Sequence, residues 1–338
     1  MRRAVLDGPG EMRIETCAEP EAGPGEALVD VMRCGICGSD IHSYLGRHPL
    51  VIYPVTPGHE FSGVVAGVGE GVDEGMVGTR VCVEPSLTCG RCPQCISGRY
   101  NICEDLKVMG FQAPGAFCDR VAVPAEKLHV LPAEVPFEAG ALAEPLAVGV
   151  HALERSGAGA GGTILIIGTG VIGLMVLTAA VSEGIDVVAI EADEARAQVA
   201  RSLGAIEVFS PKDKGLARMA RKVQIHSVFE CVGGAETADM AVRLAPRGST
   251  IVIVGVFPGP VPVPLDLVQD GELDLTGTLM YTAADFERAL VILGRGRVDA
   301  GGLVTHTFPL EDLAQGYDLL VEPRALTLKA MIEVGGEA

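Results

Sequence analysis

A chain of 338 residues, 48% hydrophobic and carrying 44 Gly and 21 Pro, is long enough for two domains with full cores and has the composition of an ordered, turn-rich globular protein. A formal charge of −18 argues against a nucleic-acid partner and favours solubility. No apolar run reaches the length of a membrane span, and the charged start Met1-Arg2-Arg3 is followed by no signal-peptide core, so the expectation is a cytoplasmic protein with no membrane partner. In that compartment the ten cysteines read as metal ligands and buried thiols rather than disulfides.

From the N-terminus, Val5-Leu6, Met12-Arg13-Ile14 and Ala27-Leu28-Val29-Asp30-Val31 are short extended runs broken by Gly and Pro, the pattern of strands joined by tight turns. Then comes Cys37-Gly38-Ser39-Asp40-Ile41-His42, and after an apolar run Gly58-His59-Glu60. A thiol, an imidazole and a carboxylate supply ligands suited to zinc. Cys37, His59 and Glu60 are fewer than four, which leaves a catalytic ion its open position. Ser39 and His42, just past the thiol, are placed to relay a proton. A buried Cys and a hydrogen-bonded core His would account for either ligand taken alone. Gly63 to Gly69 alternates small and β-branched residues, and Thr79 to Glu84 is a strand stopped by Pro85. Residues 1–150 are therefore expected to form a compact, barrel-like antiparallel β domain.

Cys89-x2-Cys92-x2-Cys95-x7-Cys103 offers four thiolates that close a tetrahedron around zinc and leave no open position, a structural site for a lobe with little core of its own. An iron–sulfur cluster takes the same four ligands; the β domain before and the nucleotide fold after favour zinc. Glu144, just ahead of Pro145 at the start of a helix, reads either as a helix-start acid favoured by the macrodipole or as a further ligand of the first zinc.

Thr163 to Ile167 is a continuous apolar run, typical of a central parallel strand. Gly168-Thr169-Gly170-Val171-Ile172-Gly173 follows at once, and helical periodicity continues from Leu174. Strand, glycines and helix in this order mark a dinucleotide-binding turn, with Gly168, Gly170, Val171, Ile172 and Gly173 against the pyrophosphate. The next strand, Asp186 to Ile190, ends at Glu191, where a carboxylate accepts from the ribose hydroxyls and repels a 2′-phosphate. NAD is thus expected over NADP, a preference that Arg196 nearby weakens. Alternating helices and strands then run to Thr278, giving six strands in one doubly wound sheet. The expected division is a Rossmann domain at 151–285 and a β-rich domain at 1–150 with 286–338, the tail returning once the nucleotide sheet is complete.

On Cys37-Gly38-Ser39-Asp40-Ile41-His42, Gly58-His59-Glu60, the four-cysteine lobe, Glu144-Pro145-Leu146-Ala147-Val148 and the Gly-x-Gly-x-x-Gly turn, the chain resembles the zinc-dependent medium-chain dehydrogenases/reductases over essentially its whole length, closest to the sorbitol (polyol) and threonine dehydrogenase branch. The resemblance implies an α/β fold, two zinc ions per chain and NAD. Cys37 and His59 match catalytic-zinc ligands, Glu60 the carboxylate beside the metal and Glu144 the third or fourth ligand used by polyol dehydrogenases. Cys89, Cys92, Cys95 and Cys103 match the structural zinc, and Ser39 and His42 the proton relay. One departure is Gly78-Thr79-Arg80, where the family usually has Gly-Asp-Arg; a local turn is all it is expected to alter.

The implied reaction is reversible oxidation of a secondary alcohol to its ketone by a homodimer or homotetramer, in a cleft between the domains. Tyr44, His48 and Tyr281 are candidate contacts for a small polyhydroxylated substrate: a polyol, cyclitol or sugar acid. Threonine oxidation is the alternative within the family. A non-catalytic zinc-stabilised nucleotide-binding protein is the alternative outside it, and would have no use for Cys37, His59 and Glu144.

Overall fold

The computed structural model describes residues 1–296, 300–322 and 326–336; the rest of the expected C-terminal segment lies outside them. The chain divides into two compact units, Met1–Glu144 with Leu293–Ala338, and Pro145–Ile292. The divisions fall at Glu144 and Ile292 rather than at 150 and 285.

The first unit opens with the hairpin β1 (Arg2–Gly8) and β2 (Glu11–Thr16). Its sheet is built on β3 (Glu26–Ile36) and β4 (Glu60–Val68), extended by β5 (Arg80–Val83). The pair β6 (Ser86–Leu87) and β7 (Lys107–Val108) brackets the cysteine lobe. β8 (Arg120–Pro124) pairs with β3, and β9 (Leu128–Val130) with β5. Alternate residues of β3 (Ala27, Val29, Val31) are buried, as a strand with one inward face requires, and pack with Phe61, Phe117 and Ile332 in one core.

In the second unit β10 (Thr163–Ile167), β11 (Asp186–Ile190), β12 (Glu207–Phe209), β13 (Ile225–Glu230), β14 (Thr250–Ile253) and β15 (Asp274–Gly277) form a parallel sheet in the order β12-β11-β10-β13-β14-β15. The order reverses between β10 and β13, the switch point at whose carboxyl end such sheets bind ligands. β12 and β15 are the edge strands, and β14 lies inside. Helix Val171–Ser182 is apolar all round, with Leu174 to Ala180 buried, as a helix enclosed by neighbours must be. Helix Ala143–Ser156 crosses it at Gly149, where a Cβ would come within 2.6 Å of the Met175 carbonyl carbon.

The C-terminal segment returns to the first unit as β16 (Val304–Pro309) and β17 (Lys329–Glu333), with β17 antiparallel to β3. β16 and β17 are parallel to each other, a pairing that the expectation of an antiparallel domain did not include.

Candidate active site and metal centres

Register explains why residues far apart in the motif meet. β3 and β4 are antiparallel with Gly35 opposite Glu60, so Cys37, just past the end of β3, lies beside His59, just before β4. A Cβ at position 35 would sit 2.3 Å from Glu60 Oε2, so any side chain there would displace the carboxylate from this position. Cys37, His59 and Glu60 place one ligand atom each within 4.8 Å of one another.

Cys37 precedes the helix Gly38–Tyr44, which sequence reasoning missed because it is only seven residues long. Its amide donates to Asp40 Oδ2 at 2.9 Å, and Ser39 Oγ donates to Cys37 Sγ at 3.1 Å. Asp40 is fully buried, with Oδ1 at 3.5 Å from His59 Nδ1. These two atoms have no hydrogen-bond partner among the described residues. Burial alone lowers the His59 pKa, but the Asp40 charge and the contact with Cys37 hold it well above the ordinary range. A carboxylate aimed at one ring nitrogen leaves the other for a metal and makes the ring a better ligand. The donor set fits zinc: thiolate, carboxylate-backed imidazole and carboxylate.

Lys329, the first residue of β17, is buried with Nζ at 2.8 and 2.7 Å from the two oxygens of Glu60 and 3.2 Å from the Ile36 carbonyl. Burial disfavours the ammonium, yet Glu60 and Cys37 raise its pKa above the usual value. Glu60 thus faces a cation already present in the chain. Glu144, buried at the start of its helix, is outside the Cys37–His59–Glu60 group but close enough for its charge to act on Lys329.

His42 is exposed on the same helix as Ser39. His48 stacks on Phe111 with centroids 4.5 Å apart, and Phe111 meets the His59 ring at 5.0 Å. The His48 Nδ1 accepts from the Leu50 amide at 3.3 Å. Tyr44 packs edge-on to Tyr317, whereas Tyr281 is fully buried in the second unit beside Phe286.

In the lobe, the sulfur atoms of Cys89, Cys92, Cys95 and Cys103 all lie within 4.8 Å of one another. Backbone amides point at them: Cys89 N to Cys103 Sγ at 3.3 Å, Cys92 N to Cys89 Sγ at 3.3 Å and Cys95 N to Cys92 Sγ at 3.4 Å. Backbone amides of Glu104 and Cys95 pull the Cys92 thiol down to about 6, while lost solvation and the neighbouring thiols push Cys95 up to about 12. Four thiols so close cannot all ionise unaided; a divalent cation resolves that repulsion, and the set has no open position.

In the second unit a Cβ on Gly173 would meet the Gly168 carbonyl at 2.0 Å, so this glycine serves helix–strand packing. A Cβ on Gly170 would meet nothing within 4 Å. The space over Gly170, at the start of helix Val171–Ser182, suits a ligand approaching the free amides of Val171, Ile172 and Gly173. Glu191 follows β11; its Oε2 accepts from the Thr169 amide and hydroxyl at 2.8 and 2.9 Å. Arg196 lies in the first turn of helix Glu194–Ser202, its amide capped by Asp193. Sequence reasoning passed over Glu230, a fully buried carboxylate that accepts from the amides of Val232 and Gly233 and from Thr237 Oγ1, pinning the loop after β13.

Two family models match the chain: the alcohol dehydrogenase GroES-like domain over residues 23–133 and the zinc-binding dehydrogenase over 171–294. It is 37% identical to 2-dehydro-3-deoxy-L-galactonate 5-dehydrogenase of Pseudoalteromonas atlantica, over 94% of each chain. It is 32% identical to sorbitol dehydrogenase of Bacillus subtilis, over 98% of this chain and 97% of that one. Among solved structures, a zinc-binding dehydrogenase from Sinorhizobium meliloti bound to NADP superposes with a TM-score of 0.91 at 32% identity, over 98% of both chains. A protein described as a short-chain alcohol dehydrogenase from Escherichia coli, complexed with NADH, gives 0.92 at 28%, over 98% of this chain and 99% of that one. The chain belongs to the zinc-dependent medium-chain alcohol dehydrogenases, in their polyol branch. It is an oxidoreductase.

Proposed function

We propose that this enzyme reversibly oxidises one secondary hydroxyl of a small polyhydroxylated substrate, a polyol, cyclitol or sugar acid, with NAD as the hydride acceptor. The observation that carries the reading is the Cys37–His59–Glu60 group backed by Asp40, in a chain whose relatives are named for a sugar acid and for sorbitol. Zinc in this group is held by Cys37 and His59 with Glu144 or Glu60, and a second zinc by Cys89, Cys92, Cys95 and Cys103. When bound, the catalytic ion supplies a Lewis acid for the substrate oxygen and the nicotinamide takes the hydride.

The chain's own residues do the rest. Asp40 orients His59 through Nδ1. Lys329 compensates the buried charge of Glu60. Ser39, at hydrogen-bond distance from the Cys37 sulfur, receives the substrate proton, and His42, three residues along the same helix and exposed, passes it to solvent. Glu191 accepts from the adenosine ribose hydroxyls, and the amides of Val171, Ile172 and Gly173 hold the pyrophosphate. The enzyme works as a homodimer or homotetramer.

Two measurements test this. An NAD-reduction screen over polyols, cyclitols, sugar acids and threonine gives turnover with one of the first three; turnover with threonine alone overturns the substrate class. Glu144→Ala loses one zinc and the activity together while keeping NADH binding and the other zinc. Two zincs with near-normal turnover in that variant would remove Glu144 from the site.

A further inference from the structure

Thr169 is the variable residue between the first two glycines of the nucleotide turn, and it is completely buried. Its side chain makes one hydrogen bond of consequence, from Oγ1 to Glu191 Oε2 at 2.9 Å, beside the bond from its own amide at 2.8 Å. The other oxygen of Glu191 accepts from the amides of Ala192 and Asp193 at 2.8 and 2.9 Å. Both oxygens of Glu191 are thus held by donors within the fold, and the carboxylate is fixed in one orientation before any nucleotide arrives. Three of the four donors are backbone amides that any sequence would supply. The fourth is a side chain, and depends on the residue at position 169.

We propose that Thr169 is a specificity-determining positioning residue, whose hydroxyl locks Glu191 at the ribose site and so enforces the choice between a 2′-hydroxyl and a 2′-phosphate. The inference rests on the NAD reading above and adds its cause. Admitting a 2′-phosphate requires the Glu191 carboxylate to swing away. Swinging away takes from the buried Thr169 hydroxyl the acceptor it has in the fold, which adds the worth of that bond to the cost of the move. Arg196 lies in the first turn of the following helix, and its guanidinium forms no ion pair among the described residues. It is the group that would receive the phosphate once Glu191 had moved. Charge repulsion alone can be relieved by rotating a side chain; here the rotation also costs the Thr169 bond.

The test is Thr169→Val, which keeps the shape and the backbone amide and removes only the hydroxyl, with Thr169→Ser as the variant that restores it. Dissociation constants for NADH and NADPH, read from nicotinamide fluorescence on the zinc-loaded protein, are independent of turnover. The ratio of kcat/KM for NAD to that for NADP is measured alongside. In Thr169→Val both ratios fall about tenfold, the worth of one hydrogen bond to a charged acceptor, while zinc content stays at the wild-type value and the melting temperature falls by only the few degrees that one bond is worth. Thr169→Ser returns the ratios to wild type. If the wild type prefers NAD and Thr169→Val leaves both ratios unchanged, the proposal fails and the NAD reading survives. If the wild type prefers NADP, both fail together.

Discussion

Asp40 shows how much one side chain can decide. Its Oδ2 caps the amide of Cys37 while Oδ1 faces His59, so a single carboxylate arranges two of the proposed zinc ligands. Asp40→Asn keeps an acceptor for the Cys37 amide but removes the charge opposite the imidazole. Zinc affinity, measured by chelator competition, should fall about 10–100-fold with the fold intact; an unchanged affinity would mean that the 3.5 Å contact does not tune the ligand. Cys37, His59 and the four lobe cysteines are legible in the sequence because ligand chemistry marks them. Asp40 lies inside the same motif, yet its role depends on where His59 sits, which spacing alone does not give. Lys329 is harder still: it is 269 residues from Glu60, and no local pattern links an isolated lysine in a β-run to a carboxylate in another strand.

At the level of elements, the cysteine lobe is moored by a buried polar cluster beyond its proposed zinc. Glu84, just past β5, accepts from Lys127 at 2.8 Å, from Tyr100 of the lobe at 3.2 Å and from Ser86, and Lys127 lies 4.7 Å over the Tyr100 ring. Burial works against the Glu84 charge, but contacts with His129 and Lys127 hold its pKa below the ordinary carboxylate value. A depressed carboxylate contributes stability that is full above its unfolded pKa and lost as pH falls through the folded one. Glu84→Gln should therefore cost about 3 kcal/mol near neutral pH. The gap in melting temperature from wild type should close below about pH 4, and a gap independent of pH would assign the loss to packing. Long apolar runs such as Thr163–Ile167 declare themselves as central strands. Helices of seven residues, Gly38–Tyr44 and Leu265–Gly271, are too short for periodicity to register. The parallel pairing of β16 with β17 joins runs about 25 residues apart in the chain, beyond the reach of a local pattern.

For the whole molecule, the proposed oligomer has a place to form. No strand among the described residues pairs with the outer side of β15, and Leu275 on it is 42% exposed, with Leu265 and Val256 exposed nearby in the chain. An open apolar edge invites a second copy. Light scattering at micromolar concentration should give a dimer or tetramer, and Leu275→Lys should reduce that mass; a monomeric wild type would refute the pairing. The bond between Lys329 and Glu60 bears on how the enzyme is made. Glu60 leaves the ribosome long before its counter-charge, and at about 5–20 residues per second the delay is tens of seconds. Until β17 is synthesised, the nascent first unit carries a carboxylate with no cation to meet it, beside a thiol and an imidazole. Metal loading that waits for the finished chain would meet a Glu60 already paired with Lys329, whereas an ion captured earlier would meet that carboxylate bare.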